Sequence, residues 1–294
     1  MTEESVPSAP RKRAKTRIRA VTPADFAAIC ALMRKELTDA FSDAQWMRIF
    51  DHNWSAPPHY GHLMETDDGR VVGFIGAIVA QRPIDGELRT VCNLTSWCVD
   101  EHYRGEGGLM LLMPYLRKND WIVTTLTPAP VVVELFDKMG FKYYDHERLV
   151  LPAFWNLGFD FAPLHVTAKD ALRAKLTADE ARMLADHEPH GCRGYLFEAG
   201  GRRLFLITKT LAKRGIPFSE ILHCSDPAFL GRRLERIKLA VMRRDGTLGV
   251  MCDGRFVGGR PRAIRLRRVA MLRARNHDGH SLDNLYTERV LLPV

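Results

Sequence analysis

Long apolar runs are missing. No stretch of the 294 residues approaches the ~20 consecutive apolar residues that an α-helix needs to cross a bilayer. Met1 to Arg19 is polar and has no apolar signal core, so secretion is not expected. Cys-x-x-Cys pairs are also missing. The six cysteines, Cys30, Cys92, Cys98, Cys192, Cys224 and Cys252, are scattered. In a chain this long that points to buried thiols in a reducing cytoplasm and excludes a disulfide framework. His187, His190 and Cys192, with His223-Cys224 later, match no zinc spacing, so no metal is expected. The basic stretches lack the aromatic interleaving of single-strand nucleic-acid binders and contain no DNA-reading motif. Nucleic acid is therefore not an expected partner.

What is present is ordinary for a soluble globular protein, with 46% hydrophobic and 27% charged residues. The length suits one large domain or two ordinary ones. The net charge of +8 hides an asymmetry. Residues 1–160 carry 18 Lys+Arg against 21 Asp+Glu, and residues 161–294 carry 25 against 14. The halves thus stand at −3 and +11, which favours two modules and an anionic partner for the second. Residues 1–15, with Pro7, Pro10 and the run Arg11-Lys-Arg-Ala-Lys15, read as a disordered basic tail.

The chain then reads in order. Thr16 to Val21 alternates as a first strand, and Thr22-Pro23-Ala24-Asp25 starts a helix carrying Phe26, Ile29, Cys30 and Met33. Asp43 to Phe50 is a second helical piece. Gly61–Glu65 and Arg70–Ala80 form a hairpin around Asp67-Asp-Gly69, and Leu88–Val99 continues as a strand. Next comes Arg104-Gly-Glu-Gly-Gly108, followed by the apolar helix face Leu109–Leu116. A Gly-rich loop opening onto a helix offers free backbone N–H groups to a phosphate; equally, its glycines could serve only to turn the chain. Asp120–Leu126 is a buried strand, Pro128–Met139 a helix, Gly140 a left-handed cap, and Lys142-Tyr143-Tyr144 the start of another strand. The fold class is α/β (α+β), with a mixed, mostly antiparallel central sheet flanked by helices.

Two segments in this order, Val99-Asp-Glu-His-Tyr-Arg-Gly-Glu-Gly-Gly-Leu109 and Val132-Val-Glu-Leu-Phe-Asp-Lys-Met-Gly-Phe141, resemble the pyrophosphate loop and the Gly-Phe helix end of the GNAT superfamily of N-acetyltransferases. The resemblance covers roughly residues 17–150. It implies an enzyme that transfers an acetyl or other acyl group from acyl-CoA to an amine or sugar hydroxyl by direct attack. It also implies a donor site at Trp97, Cys98, Val99, Arg104, Gly105, Glu106, Gly107, Gly108 and Leu109, with pantetheine along Leu94–Val99 and pyrophosphate on the amides of Arg104–Leu109. Leu109 stands where the superfamily loop has its last glycine, and Phe136 stands where a Tyr acid is common. Tyr143, Tyr144 and Glu87 are the remaining candidates for acid or base, with Asp85, Asp100 and His102 also near strand ends. A non-catalytic scaffold of the same fold is the alternative.

The domain division expected is 16–160 for the acyl-CoA module and 161–294 for a basic second α/β module. The second half reads as a helix over Lys169–His187, a hairpin around Gly200-Gly201, a strand at Ile216–His223, one helix over Phe229–Arg243, a short strand at Gly246–Met251, and strands at Arg265–Arg273 and Asn284–Leu292. That order echoes the first half, which suggests a degenerate GNAT-like repeat. Bacterial GNAT-like proteins that this chain resembles are associated with cell-surface polysaccharide production, which makes a small-molecule or glycan acceptor, anionic to suit the +11 half, the expected partner.

Overall fold

The first half builds a meander that ends in a parallel step. The computed structural model describes residues 14–155 and 163–292. Nearly all of the basic tail, and residues 156–162, therefore lie outside the described residues. β1 (Thr16–Ala20), β2 (Gly61–Thr66), β3 (Val71–Ile84) and β4 (Glu87–Val99) pair antiparallel in sequence. α1 (Phe26–Glu36) and α2 (Asp43–Met47) lie between β1 and β2. The entry to α1 is set by Asp25, which accepts hydrogen bonds from the Thr22 amide and hydroxyl, both at 2.8 Å. β3 is buried on both faces, as its unbroken apolar run requires. After α3 (Glu106–Leu116), β5 (Ile122–Thr125) runs parallel to β4. α4 (Pro130–Lys138) ends at Gly140, whose φ of +82° is the left-handed cap read from the sequence.

β6 (Lys142–Pro152) does not return to β5. It pairs with β11 (Gly249–Asp253) of the second half on one side and with β12 (Ile264–Arg273) on the other. β12 in turn pairs with β5. The last strand of each half is thus hydrogen-bonded into the other half. The second half otherwise repeats the pattern. β7 (His165–Val166), β8 (Cys192–Ala199), β9 (Arg202–Lys213) and β10 (Ile216–Cys224) are antiparallel neighbours, and β11 is parallel to β10 after α7 (Pro227–Arg232) and α8 (Leu234–Asp245). The result is one sheet in the order β1-β2-β3-β4-β5-β12-β6-β11-β10-β9-β8-β7. Among the described residues only β4–β5 and β10–β11 are parallel pairs, so the sheet is mixed and mostly antiparallel.

Three expectations need correction. Lys169–His187 is two helices, α5 (Lys169–Lys175) and α6 (Ala178–His187), because Thr177 caps α6 by accepting from the Glu180 amide while Glu180 reaches back to the Thr177 amide. Phe229–Arg243 is also two helices, broken at Arg233 (φ −114°, ψ 18°). Asn284–Leu292 is not a strand. It is a buried run of turns ending in α9 (Glu288–Leu291), with Thr287 as its cap. The apolar alternation there serves packing against two sheet regions at once, which a single strand face does not need.

The cores follow strand alternation. Ala77 and Val79 of β3 and Cys92 and Leu94 of β4 pack under α3 and α4. Leu204 and Leu206 of β9 pack under α7 and α8. The opposite face gathers Ile78 and Ala80 of β3 with Phe205, Ile207 and Leu222 of the second half, joined by Leu285, Tyr286, Val290 and Leu291. The segment before and within α9 is therefore the apolar bridge between the halves. Leu285 is fully buried there. Leu285→Ala should cost about 2–5 kcal/mol in urea denaturation, with fluorescence and circular dichroism reporting one shared transition. Two separated transitions would mean that the halves do not depend on each other.

Candidate active site

The parallel pairing of β4 and β5 covers only three residues, Val91–Asn93 against Ile122–Thr124. Beyond Asn93 the strands part. β4 then carries a bulge opposite β3, where Phe74 faces Cys98 and Gly76 faces Thr95. Ser96 within it has φ +50°, a conformation uncommon for a residue with a side chain. A bulge leaves backbone groups unpaired, so the fork holds amides that a bound carbonyl could use. Its base is polar despite full burial: Asn93, Thr95, Thr124 and Thr125 are all buried.

At the end of β4 the chain turns through Asp100–Arg104 and enters α3. This turn is clamped to α1. Lys35 Nζ donates to Asp100 at 3.0 Å, and Arg104 Nη2 donates to Glu36 at 2.9 Å. Arg104 Nε also donates to the Val99 carbonyl at 3.2 Å. Arg104 is therefore a loop anchor. Gly105 has φ +100°, which only glycine adopts without strain, and it begins α3. Gly107 and Gly108 lie inside the first helical turn and not in a loop. A Cβ on Gly107 would come within 3.0 Å of Met64 Sδ, so this glycine brings the helix down onto β2. Leu109 is half-buried in the same turn. The first amides of a helix have no intrahelical acceptor, so the start of α3 presents N–H donors at the open end of the fork.

The other sequence-read residues divide. Trp97 packs on Phe136 with ring centroids 5.6 Å apart, and Phe136 packs on Phe141 at 4.7 Å, so Phe136 is a core residue. Val99 joins that core. Cys98 points to the other face, among α1 and α2 residues, and burial pushes its thiol pKa up. Glu87 lies at the far end of β4, about 20 Å along the strand from Asn93, paired with Arg89 at 2.6 Å. Tyr143 is 44% exposed on β6, near Asp85 and His277. Tyr144 lies under Arg255. None of these three faces the fork. His187 uses both ring nitrogens: Nδ1 is 2.6 Å from the Met183 carbonyl, and Nε2 accepts from the Tyr286 amide at 3.0 Å.

Glu288 is the group that the sequence did not reveal. Its amide donates to Asn93 Oδ1 at 3.0 Å, and Thr127 Oγ1 donates to its Oε1 at 3.1 Å. Asn93 also reaches Thr124 at 3.4 Å. The carboxyl is thus bracketed by β4 and the residues just after β5, on the face away from α3. It is 1% exposed, and Oε2 has no hydrogen-bond partner among the described residues. Burial pushes its pKa up to about 7, against the pull of Arg289. The only local signal was Thr287 followed by Glu288, a helix-cap pattern.

A carboxyl whose folded pKa exceeds its unfolded value of 4.5 binds its proton more tightly in the folded chain. Its contribution is largest at low pH and is lost as pH rises from about 4.5 to about 7. Glu288→Gln removes that loss. Its stability relative to wild type should climb by on the order of 3 kcal/mol across this window and stay level outside it, measured by urea denaturation over pH. A level difference throughout would show that Glu288 titrates like an exposed side chain.

No family model matches the sequence, and no curated protein matches it. Solved structures do match the fold. A GCN5-related N-acetyltransferase from Kribbella flavida is 15% identical, with 89% of this chain and 71% of that chain covered and a TM-score of 0.56. One from Anabaena variabilis ATCC 29413 is 11% identical, with 88% and 72% covered and a TM-score of 0.56. The fold is therefore GNAT-like across both halves, and the resemblance read from the two motifs extends to the architecture. No helix among the described residues is long and apolar enough to cross a membrane.

Proposed function

We propose that this chain is an acyltransferase that takes an acetyl or other acyl group from acyl-CoA and passes it to an amine or sugar hydroxyl. The observation that carries the reading is the fork: two parallel strands that separate after Asn93, a bulge at Ser96–Trp97, and the start of α3 at the open end. Two GCN5-related N-acetyltransferases of the same fold support it. In this reading the amides of Gly105–Leu109 bind the pyrophosphate. The pantetheine runs along Leu94–Val99, and the bulged backbone of β4 polarises the thioester carbonyl.

The acceptor enters from the α9 face. Its nitrogen or oxygen attacks the carbonyl carbon, and its proton passes to Glu288 Oε2. The C–S bond then breaks and the thiolate leaves. A carboxyl with a pKa near 7 suits a general base at neutral pH. Phe136 has no proton to give, so solvent protonates the thiolate. The same absence favours the second reading, a non-catalytic scaffold with this fold. The repeated order of hairpin, parallel step and returning strand supports two modules, 16–160 and 161–294, the second a degenerate repeat. The six free cysteines, five of them buried, support a reducing, cytoplasmic setting.

Calorimetry should find micromolar binding of acetyl-CoA by wild type and none by Gly107→Trp, whose side chain would crowd Met64 and cover the start of α3. No binding by wild type would leave the scaffold reading; unchanged binding by the variant would place the donor elsewhere. Glu288→Gln should keep acetyl-CoA affinity within about twofold and lower thiol release with a panel of amine and sugar acceptors by about 10²–10⁴. The wild-type rate should rise through an inflection near pH 7 that the variant lacks.

A further inference from the structure

Glu220 lies on the sheet face opposite α7 and α8. Leu149 and Leu151 of β6, Ile221 of β10, and Val250 and Cys252 of β11 pack toward those helices. Alternation sends Arg148, Glu220 and Asp253 to the other face. Arg148 Nη2 is 2.6 Å from Glu220 Oε1 but off the line of a hydrogen bond, and Arg148 Nε has no partner among the described residues. Arg289 Nη1 donates to the same Glu220 oxygen at 3.0 Å, and its Nε is likewise unpartnered. Both guanidiniums are 2% exposed. Asp253 Oδ2 accepts from Asn284 at 2.7 Å and lies 3.4 Å from Arg255, while Oδ1 is 3.6 Å from Arg289 and has no hydrogen-bond partner among the described residues.

Two more cations share this field, Lys213 of β9 and Arg268 of β12. Both are half-buried. Burial holds both pKa values below the ordinary range, with repulsion from Arg148 and Arg289 adding to it; Glu220 pulls both of them back. Arg148, Lys213, Arg255, Arg268 and Arg289 thus face three carboxyl groups, Glu220, Asp253 and, beside Arg289, Glu288. Surplus charge in a desolvated place is unfavourable unless an anion joins it. Guanidinium N–H groups without acceptors are the donors that a carboxylate or phosphate takes up, often two at a time.

We propose that Arg148, Lys213, Arg268 and Arg289 form a binding site for an anionic group, carboxylate or phosphate, carried by the acceptor substrate. The assignment to the acceptor rests on the acyl-transfer reading; the site itself rests on the charges. α9 supplies the link. Glu288 is at the fork and Arg289, the next residue, is in the cation cluster, so the two lie on the order of 10 Å apart. The cluster is on the α9 face, while the proposed donor path follows the start of α3 on the other. An acceptor anchored here by its anion can extend a hydroxyl or amine to Glu288.

The test titrates inorganic phosphate and glucuronate by calorimetry at fixed ionic strength. Wild type should bind at least one saturably. A Lys213→Gln/Arg268→Gln double variant should weaken that affinity at least tenfold while its Tm holds or rises, since it removes surplus cations. An Arg260→Gln/Arg267→Gln control removes two charges from exposed positions and should stay within twofold. Tighter phosphate binding identifies a phosphorylated acceptor, and tighter glucuronate binding identifies a sugar acid. The site is overturned if neither anion saturates wild type, if the control loses binding equally, or if saturating acetyl-CoA displaces the anion. Acetyl-CoA binding measured in parallel separates the two readings. If only acetyl-CoA binds, the anion site falls and acyl transfer stands. If only the anion binds, the site stands and its assignment to an acceptor falls.

Discussion

One oxygen of Glu220 holds two buried guanidiniums, and much of the molecule is arranged by that sharing. Arg148 comes from the last strand of the first half, Glu220 from β10, the fourth strand of the second-half meander, and Arg289 from the final helix. A buried charge group of this kind contributes less to stability than to placement. Removing one partner would leave an uncompensated charge, so each residue fixes where the others must be. The consequence reaches the fork. With Arg289 held at Glu220, the preceding residue is committed to Asn93 and Thr127. A helix of four residues has little intrinsic stability. It keeps its place because it is pinned by ions at one position and by hydrogen bonds at the next.

The fork itself arises from simple geometry. β4 is long, β5 is short, and they share three paired positions. Past these, β5 ends and β4 continues toward α3 with its bulge, so the strands have no reason to stay together. The space between them is lined by groups that are costly to bury without partners. Asn93 and Thr124 satisfy one another in part, and α9 supplies the rest. Polar burial at a strand junction, a carboxyl with one free oxygen, and a helix start at the open end converge on the same few residues.

The first-half elements were readable because each rests on local chemistry. Asp67-Asp68-Gly69 turns the hairpin, Thr22 and Asp25 start α1, and Gly140 ends α4. The donor region was partly readable. Gly105 has a positive φ that suits a glycine, but Gly107 serves helix–strand packing and Arg104 serves the clamp to Glu36. What stayed hidden depends on long-range contact. Asn93 and Glu288 are 195 residues apart, and no local pattern joins them. Asn284–Leu292, including α9, reads as a strand from sequence because its apolar residues face two sheet regions, giving a spacing that resembles alternation. The breaks at Thr177 and Arg233 were missed for a smaller reason: a cap and a kink interrupt a helical period without erasing it.

The position of β12 also sets an order of events during synthesis. β5 is complete at Thr125, but the strand that covers its free edge begins only at Ile264. At about 5–20 residues per second, a ribosome needs roughly 7 to 30 s to make the intervening chain. For that time β5 offers unpaired backbone groups, and an open edge is where chains of the same sequence join each other. β5 is only four residues long, all of them buried in the finished protein, and short edges are poor templates. A strand brief enough to leave a fork open is also brief enough to wait for its partner.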